Sequence, residues 1–309
     1  MVRRVIVAAP RGFCAGVHRA VEIVNRALDL WGPPVYVRHQ IVHNAHVVGE
    51  LEARGAVFVE SENDVPKGAR LVLAAHGVPP SVYDVAAARA LQTIDATCPL
   101  VSKVHVEARR YAAEGYRVVL VGHAGHDEVV GTMAQAPEAI VLVETVEQAR
   151  SLELPDAERV AYVTQTTLSV DETVEIVAVL RARFPSIVGP SKSDICFATT
   201  NRQTALKAIL EDVDFVLVVG SPESSNSNRL AETARRAGIP AYLVEGESAL
   251  EEALFDGVDT VGITAGASTP EELVAGVVDW FRSRGVTDID LPDGHSEGVV
   301  FKLPAEIAS

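Results

Sequence analysis

The chain reads as an α/β protein built on parallel sheets. Short Val-rich apolar runs bounded by Gly, Pro or Asp alternate with amphipathic helical patterns along almost its whole length. Three cysteines, Cys14, Cys98 and Cys196, recur once in each third of the chain, each following an extended-looking apolar run and opening a helical pattern. Continuous apolar runs of this length are the mark of strands buried on both faces.

Taken in order, residues 5–9 (VIVAA) are a strand and 15–31 a long amphipathic helix. Strand 35–37, helix 44–54 and strands 57–59 and 71–74 follow, then helix 80–90, which starts on a proline suited to a first helical turn. Helix 100–114 leads to strands 118–121, 140–143 and 160–164, and helix 170–184 closes the middle third. The last third alternates strand 215–219, helix 225–237, strands 241–244 and 260–264, and helix 270–284. The layout divides into three small α/β domains around a shared centre: 14–97, 98–192 and 193–285, with 1–13 joining the third. Residues 286–309 break the pattern and read as a C-terminal tail.

Composition narrows the class. At 309 residues and 48% apolar the chain can bury a large core, and only three cysteines, an odd count with no near-neighbour pair, point to a reducing compartment rather than a disulfide scaffold. No signal-like segment precedes the first strand and no apolar run is long enough to span a bilayer, so a cytoplasmic, non-membrane protein is expected. A net charge of −15 with no basic stripe argues against nucleic acid. An anionic ligand would then need a local pocket of hydrogen-bond donors.

Three solitary cysteines at helix starts suggest one metal object held from three sides. The helix N-terminus is expected to lower each thiol's pKa toward the thiolate a metal needs. A zinc site of three cysteines and a histidine is one reading, though such sites use closely spaced ligand pairs. A 4Fe–4S cluster is the other, and with three thiolates it would leave one iron without a protein ligand.

Candidate anion groups sit at or just past strand ends, where ligand sites of open α/β sheets gather. They are His43 in HQIVHN, His76 in AAHGVPP, His126 in GHAGHDEVVGT, TQTTLS at 164–169, SSNSN at 224–228 and AGAST at 265–269. Such His, Ser, Thr and Asn donors with helix-start N–H groups can bind a phosphate or diphosphate without much positive charge. Ser169 and Thr269 read equally well as helix N-caps. Glu128 is the candidate proton donor, with Asp127 a rival, because burial raises a carboxyl pKa toward neutrality.

The ordered motifs PRGFCAGV, VHN, AHGV, DATCPLVSKVH, GHxGHxEVxGT, TQTTLSVD, DICFATTNRQ, SSNSNRL and GITAGAS make the chain resemble the bacterial 4-hydroxy-3-methylbut-2-enyl diphosphate reductases nearly end to end. That resemblance implies three α/β domains in a trefoil around a central 4Fe–4S cluster, with Cys14, Cys98 and Cys196 as ligands and one open iron. It also implies an iron–sulfur oxidoreductase of the non-mevalonate isoprenoid pathway. Two electrons and protons would remove the substrate hydroxyl as water, giving isopentenyl and dimethylallyl diphosphate. His43, His76, His126, Thr167, Ser224, Ser225, Asn226 and Ser268 match the diphosphate-binding positions, Glu128 the proton-delivering glutamate and Thr166 a hydroxyl orienting the substrate. An external carrier such as ferredoxin or flavodoxin would supply electrons, since no Gly-x-Gly-x-x-Gly fingerprint is present. Asp127, Glu223 and Gln40 stand where the family often has proline, asparagine and glutamate. Two rival functions remain: a non-redox cluster enzyme of the quinolinate-synthase type, and a zinc-stabilised binding protein without catalysis.

Overall fold

The computed structural model describes residues 2–292 and 297–308. In chain order the first elements are β1 (Arg4–Val7), α1 (Ala15–Trp31), β2 (Val35–Arg38), α2 (Ala45–Ala53), β3 (Ala56–Val59), β4 (Arg70–Leu73), α3 (Pro80–Ala88), β5 (Gln92–Asp95) and α4 (Pro99–Ala113). The middle adds β6 (Arg117–Val121), α5 (Asp127–Met133), β7 (Ile140–Val143), α6 (Val146–Ser151), β8 (Val160–Thr164) and α7 (Val170–Arg183). The last part holds α8 (Phe197–Lys207), β9 (Phe215–Val219), α9 (Ser225–Arg236), β10 (Ala241–Val244), β11 (Thr260–Ala265), α10 (Glu271–Ser283) and β12 (Asp288–Asp290).

The strands form three small sheets of orders β10-β9-β11-β1-β12, β3-β2-β4-β5 and β7-β6-β8. Every pairing in them is parallel, as the α/β reading requires. The described residues fall into two compact units. One is drawn from Met1–His18, His43–Val47 and Phe197–Val300 and contains the five-stranded sheet; the other is drawn from Arg19–Val42, Val48–Cys196 and Phe301–Ser309 and contains the other two.

In the first unit, β9 sends Phe215, Leu217 and Val219 to one face of the sheet and Val216 and Val218 to the other, the two-residue alternation of a strand. The first face packs on α10 through Val274, Val277, Val278 and Phe281, spaced as one helical stripe and at most 1% exposed. Burying each such side chain contributes about 1.5–3 kcal/mol. The opposite face packs on Leu206 of α8 and on Leu230, Ala231 and Ala234 of α9. In the second unit, β6 is sandwiched in the same way. Val119 and Val121 meet Ile176 and Leu180 of α7, while Val118 and Leu120 meet Val104, Ala108 and Tyr111 of α4.

The strand β12 (DID) escaped the sequence pattern, and β5 (QTID) falls in the extended-looking run ahead of Cys98, which carries no strand bounds in the sequence reading. Both are edge strands pairing on one side only, so polar residues face solvent and interrupt the apolar signal. The short helices α5 and α6 were also missed. Cys14 and Cys98 immediately precede α1 and α4 as expected, and Cys196 immediately precedes α8. The expected extended run before Cys196 is a correction. No strand lies between α7 and α8, only a single bridge from Val188 to Ala161, because the Ser-Lys-Ser-Asp stretch has no apolar side to bury.

α9 is seated on the strand ends by close backbone approach. The fully buried Ser227 side chain lies against Gly220 after β9 and Gly266 after β11, and a Cβ on either glycine would collide with its Oγ. Gly266→Ala is therefore expected to lower the unfolding free energy by about 1–3 kcal/mol through overpacking. Denaturant melts should show a lower midpoint with an unchanged slope, and adding Ser227→Ala should recover part of the loss.

Candidate active site

In the first unit the candidate groups cluster on loops that follow parallel strands. Ser224 is the N-cap of α9, its Oγ accepting the Ser227 N–H at 3.3 Å. Asn226, nearly fully buried, accepts the Ala267 N–H at 2.9 Å and donates to Thr199 Oγ1 at 3.4 Å, tying the loop after β11 to the start of α9. Ser268 donates to the His43 carbonyl at 3.0 Å. Thus Ser224, Ser225, Asn226, Ser268 and His43 are brought onto one framework together with Cys14. Thr269, expected as a possible cap, instead donates to the Val219 carbonyl at 2.9 Å, and Pro270 occupies the cap position of α10.

In the second unit Glu128 and Thr166 form the most tightly determined pair. Glu128 is 2% exposed. Its Oε1 accepts the Thr166 N–H at 2.6 Å and its Oε2 the Thr166 hydroxyl at 3.0 Å. Burial pushes the Glu128 carboxyl up to about 7, outweighing the two Thr166 donors that pull it down; the Asp194 charge adds to the rise. His126 caps α5, its Nδ1 accepting the Glu128 N–H at 3.2 Å, and its ring lies edge-on to that of His76 at 5.9 Å. Thr167 Oγ1 accepts from Gln165 Nε2 at 2.8 Å. Ser169 caps α7, accepting the Glu172 N–H at 3.4 Å.

Asp127 faces two histidines. Its Oδ1 lies 3.0 Å from His39 Nδ1 and its Oδ2 lies 3.9 Å from His76 Nδ1. The hydrogen bond to Asp127 raises the His39 pKa, against the opposing effect of its burial. His39, at the end of β2 in a left-handed conformation with φ 53°, was not singled out in the sequence. Its only signal there was the HxxxH spacing to His43.

None of the three cysteines is in a disulfide, and each is part-exposed. Their backbones share one arrangement. The Cys14 N–H donates to the Ala267 carbonyl at 3.1 Å, the Cys98 N–H to Ala75 at 2.9 Å and the Cys196 N–H to Thr166 at 3.0 Å. Each acceptor immediately precedes a candidate anion group: Ser268, His76 and Thr167 respectively. The expected lowering of thiol pKa is corrected at Cys14. Burial raises it, and the Val17 and Gly16 N–H groups and the Arg202 charge only partly offset that. Desolvation of a small anion outweighs one helix start.

The profile described as "LytB protein" matches residues 5–282. The chain belongs to the LytB family. It is 56% identical over 306 residues to the 4-hydroxy-3-methylbut-2-enyl diphosphate reductase of Acidothermus cellulolyticus (strain ATCC 43068 / DSM 8971 / 11B), covering 99% of this chain and 90% of that one. The same-named reductase of Pseudomonas fluorescens (strain SBW25) is 53% identical over 304 residues, 97% of this chain and 96% of the relative. The solved E-1-hydroxy-2-methyl-but-2-enyl-4-diphosphate reductase from Plasmodium falciparum superposes with a TM-score of 0.95 at 39% identity, covering 99% of this chain and 97% of that one. LytB proteins are iron–sulfur proteins, and three thiols outside any disulfide are a suitable soft donor set.

Within this LytB chain the buried acid links protonation to stability. Because the folded pKa of Glu128, about 7, lies above its ordinary value of 4.5, the folded state holds a proton that the unfolded chain releases between those values. The wild type therefore loses stability as pH rises through that window. Glu128→Gln removes the titration, its amide oxygen accepting the Thr166 N–H and its amide nitrogen donating to the Thr166 hydroxyl in place of the present acceptor. Denaturant melts should show it gaining stability relative to wild type between pH 5 and pH 8, by a few kcal/mol. A parallel pH dependence in both proteins would remove Glu128 from this role.

Proposed function

We propose that the chain reduces 4-hydroxy-3-methylbut-2-enyl diphosphate to isopentenyl diphosphate and dimethylallyl diphosphate, with Cys14, Cys98 and Cys196 as the three protein ligands of one 4Fe–4S cluster. One observation carries this reading. Each cysteine is hydrogen-bonded through its own N–H to the residue before Ser268, His76 or Thr167. A soft metal ligand is thereby coupled to an anion-binding loop three times over. When bound, the cluster supplies electrons and an open coordination position for the substrate's hydroxyl oxygen. The names of the relatives favour this reductase over a quinolinate-synthase-type condensation or a zinc-stabilised binding protein.

The chain's own residues do the rest. His43, His76, His126, Thr167, Ser224, Ser225, Asn226 and Ser268 bind the diphosphate with hydrogen-bond donors rather than a net positive patch, which suits a protein of charge −15. Thr166, held on Glu128, orients the substrate hydroxyl. Glu128 carries a proton near neutral pH and delivers it as the hydroxyl departs as water. Two electrons and two protons balance the loss of that water and the gain of hydrogen at carbon. The electrons come from a small carrier such as ferredoxin or flavodoxin. The domains are read as 14–97, 98–192 and 193–285, with 1–13 joining the last and 286–309 as the tail. We place the protein in the cytoplasm; among the described residues no helix is long and apolar enough to cross a membrane.

The reading is tested by anaerobic turnover of the allylic diphosphate with a chemical reductant and resolution of the two products; substrate returned unchanged by cluster-loaded protein would overturn it. Cys14→Ala, Cys98→Ala and Cys196→Ala are each expected to lose or degrade the cluster, seen as a fall in iron per chain and in the visible absorption. Glu128→Gln should retain the cluster and substrate affinity but lose turnover by about 10²- to 10⁴-fold, the usual worth of a positioned acid.

A further inference from the structure

Each helix opened by a cysteine carries a cation about a turn and a half along it: Arg19 five residues after Cys14, Lys103 five after Cys98 and Arg202 six after Cys196. Each cation reaches the irregular segment that leads into the next cysteine, the third returning to the first. Arg19 Nη1 donates to the carbonyls of Ala96 and Thr97, both at 3.1 Å, directly ahead of Cys98. Lys103 Nζ donates to Asp194 Oδ1 at 2.8 Å and to the Lys192 carbonyl at 3.2 Å, ahead of Cys196. Arg202 donates to the Gly12 carbonyl from Nε at 3.0 Å and from Nη2 at 2.6 Å, ahead of Cys14. Each of these contacts lies wholly within one of the two units.

We propose that Arg19, Lys103 and Arg202 are positioning residues, each fixing the segment that presents the next cysteine in the order Cys98, Cys196, Cys14. The proposal rests on the reading that these three thiols hold metal.

The receiving carbonyls of Ala96, Thr97, Lys192 and Gly12 need such a hold because they lie in no strand or helix and lack a ladder partner. At Cys196 the need is plainest. A cavity of about 430 Å³ borders the preceding segment, lined by Tyr162, Val177, Pro190 and Ile195 among others, so apolar packing there is incomplete. What pins the segment is polar. The fully buried Asp194 side chain bridges Lys103 and the Thr164 N–H, the latter at 3.0 Å to Oδ2. Arg202 is itself 1% exposed and is held at its far end by the Ala198 carbonyl at 2.9 Å and by Glu297 at 3.1 Å. Arg19 is anchored likewise by the Lys302 carbonyl at 2.8 Å. A cation that was merely solvated, or paired with its own helix, would not be aimed at the following cysteine in all three places.

The order of the contacts makes the test directional. Amide hydrogen exchange of the cluster-free protein is measured by mass spectrometry for the segments 10–14, 94–98 and 190–196. Arg19→Leu should speed exchange about tenfold in 94–98, and Lys103→Met about tenfold in 190–196, with the other two segments unchanged, since each loses one charge-assisted hold on a local opening. Arg202→Lys, chosen because loss of so buried a charge invites unfolding, should speed exchange selectively in 10–14. In reconstituted protein the same variants should release iron to a chelator several-fold faster. Equal acceleration in all three segments, acceleration confined to the variant's own helix, or no change would each overturn the proposal. If wild-type protein takes up no cluster while the directional exchange pattern holds, the cluster reading fails and the positioning of the segments stands.

Discussion

Parallel sheets bring all their strands to an end on the same side, and each strand end leaves backbone N–H and C=O groups that the ladder no longer satisfies. In this protein those groups are satisfied by one another across loops, and the three cysteine N–H bonds to Ala267, Ala75 and Thr166 are the most consequential instances. They make the position of each thiol a property of the loop that also carries Ser268, His76 or Thr167. A loop that shifts moves the cysteine and the neighbouring polar side chain together. The glycine-mediated seating of Ser227 and the Asn226 bond to Ala267 extend the same constraint to the start of α9.

Burial decides the electrostatics, and it acts on acid and thiol in the same direction. At Glu128 it outweighs two strong donors and sets the carboxyl near neutrality, where an acid can both hold and give a proton. At Cys14 it outweighs the helix start that was expected to favour thiolate.

Many of the candidate polar groups already serve the framework. Ser224 and His126 cap helices, Asn226 and Ser268 tie loops, and Thr166 holds Glu128. This suits an acidic protein that must receive an anion, because donors held in place lose little conformational freedom when the ligand arrives. The chain's departures from the family pattern are local. Asp127 is engaged by His39 and lies near His76, while Glu223 sits exposed with its N–H on Ser221 Oγ at 3.3 Å.

The sequence by itself determined the α/β class, most strands and helices, and the cysteines as helix-opening residues. These follow from local periodicity and from residue types that report their own burial. It could not bound the edge strand β5 or show β12, whose polar faces resemble loops, nor show the irregular approach to Cys196. Only the tertiary structure decided that the Glu128 carboxyl is buried and pushed up to about 7, that Thr166 is its hydrogen-bond partner, and that Thr269 is no cap. Neighbouring carboxylates in a sequence differ only once packing removes water from one and gives the other a histidine. Desolvation and hydrogen bonds between residues dozens of positions apart depend on how strands are ordered in a sheet, and the spacing of residues along the chain does not carry that order.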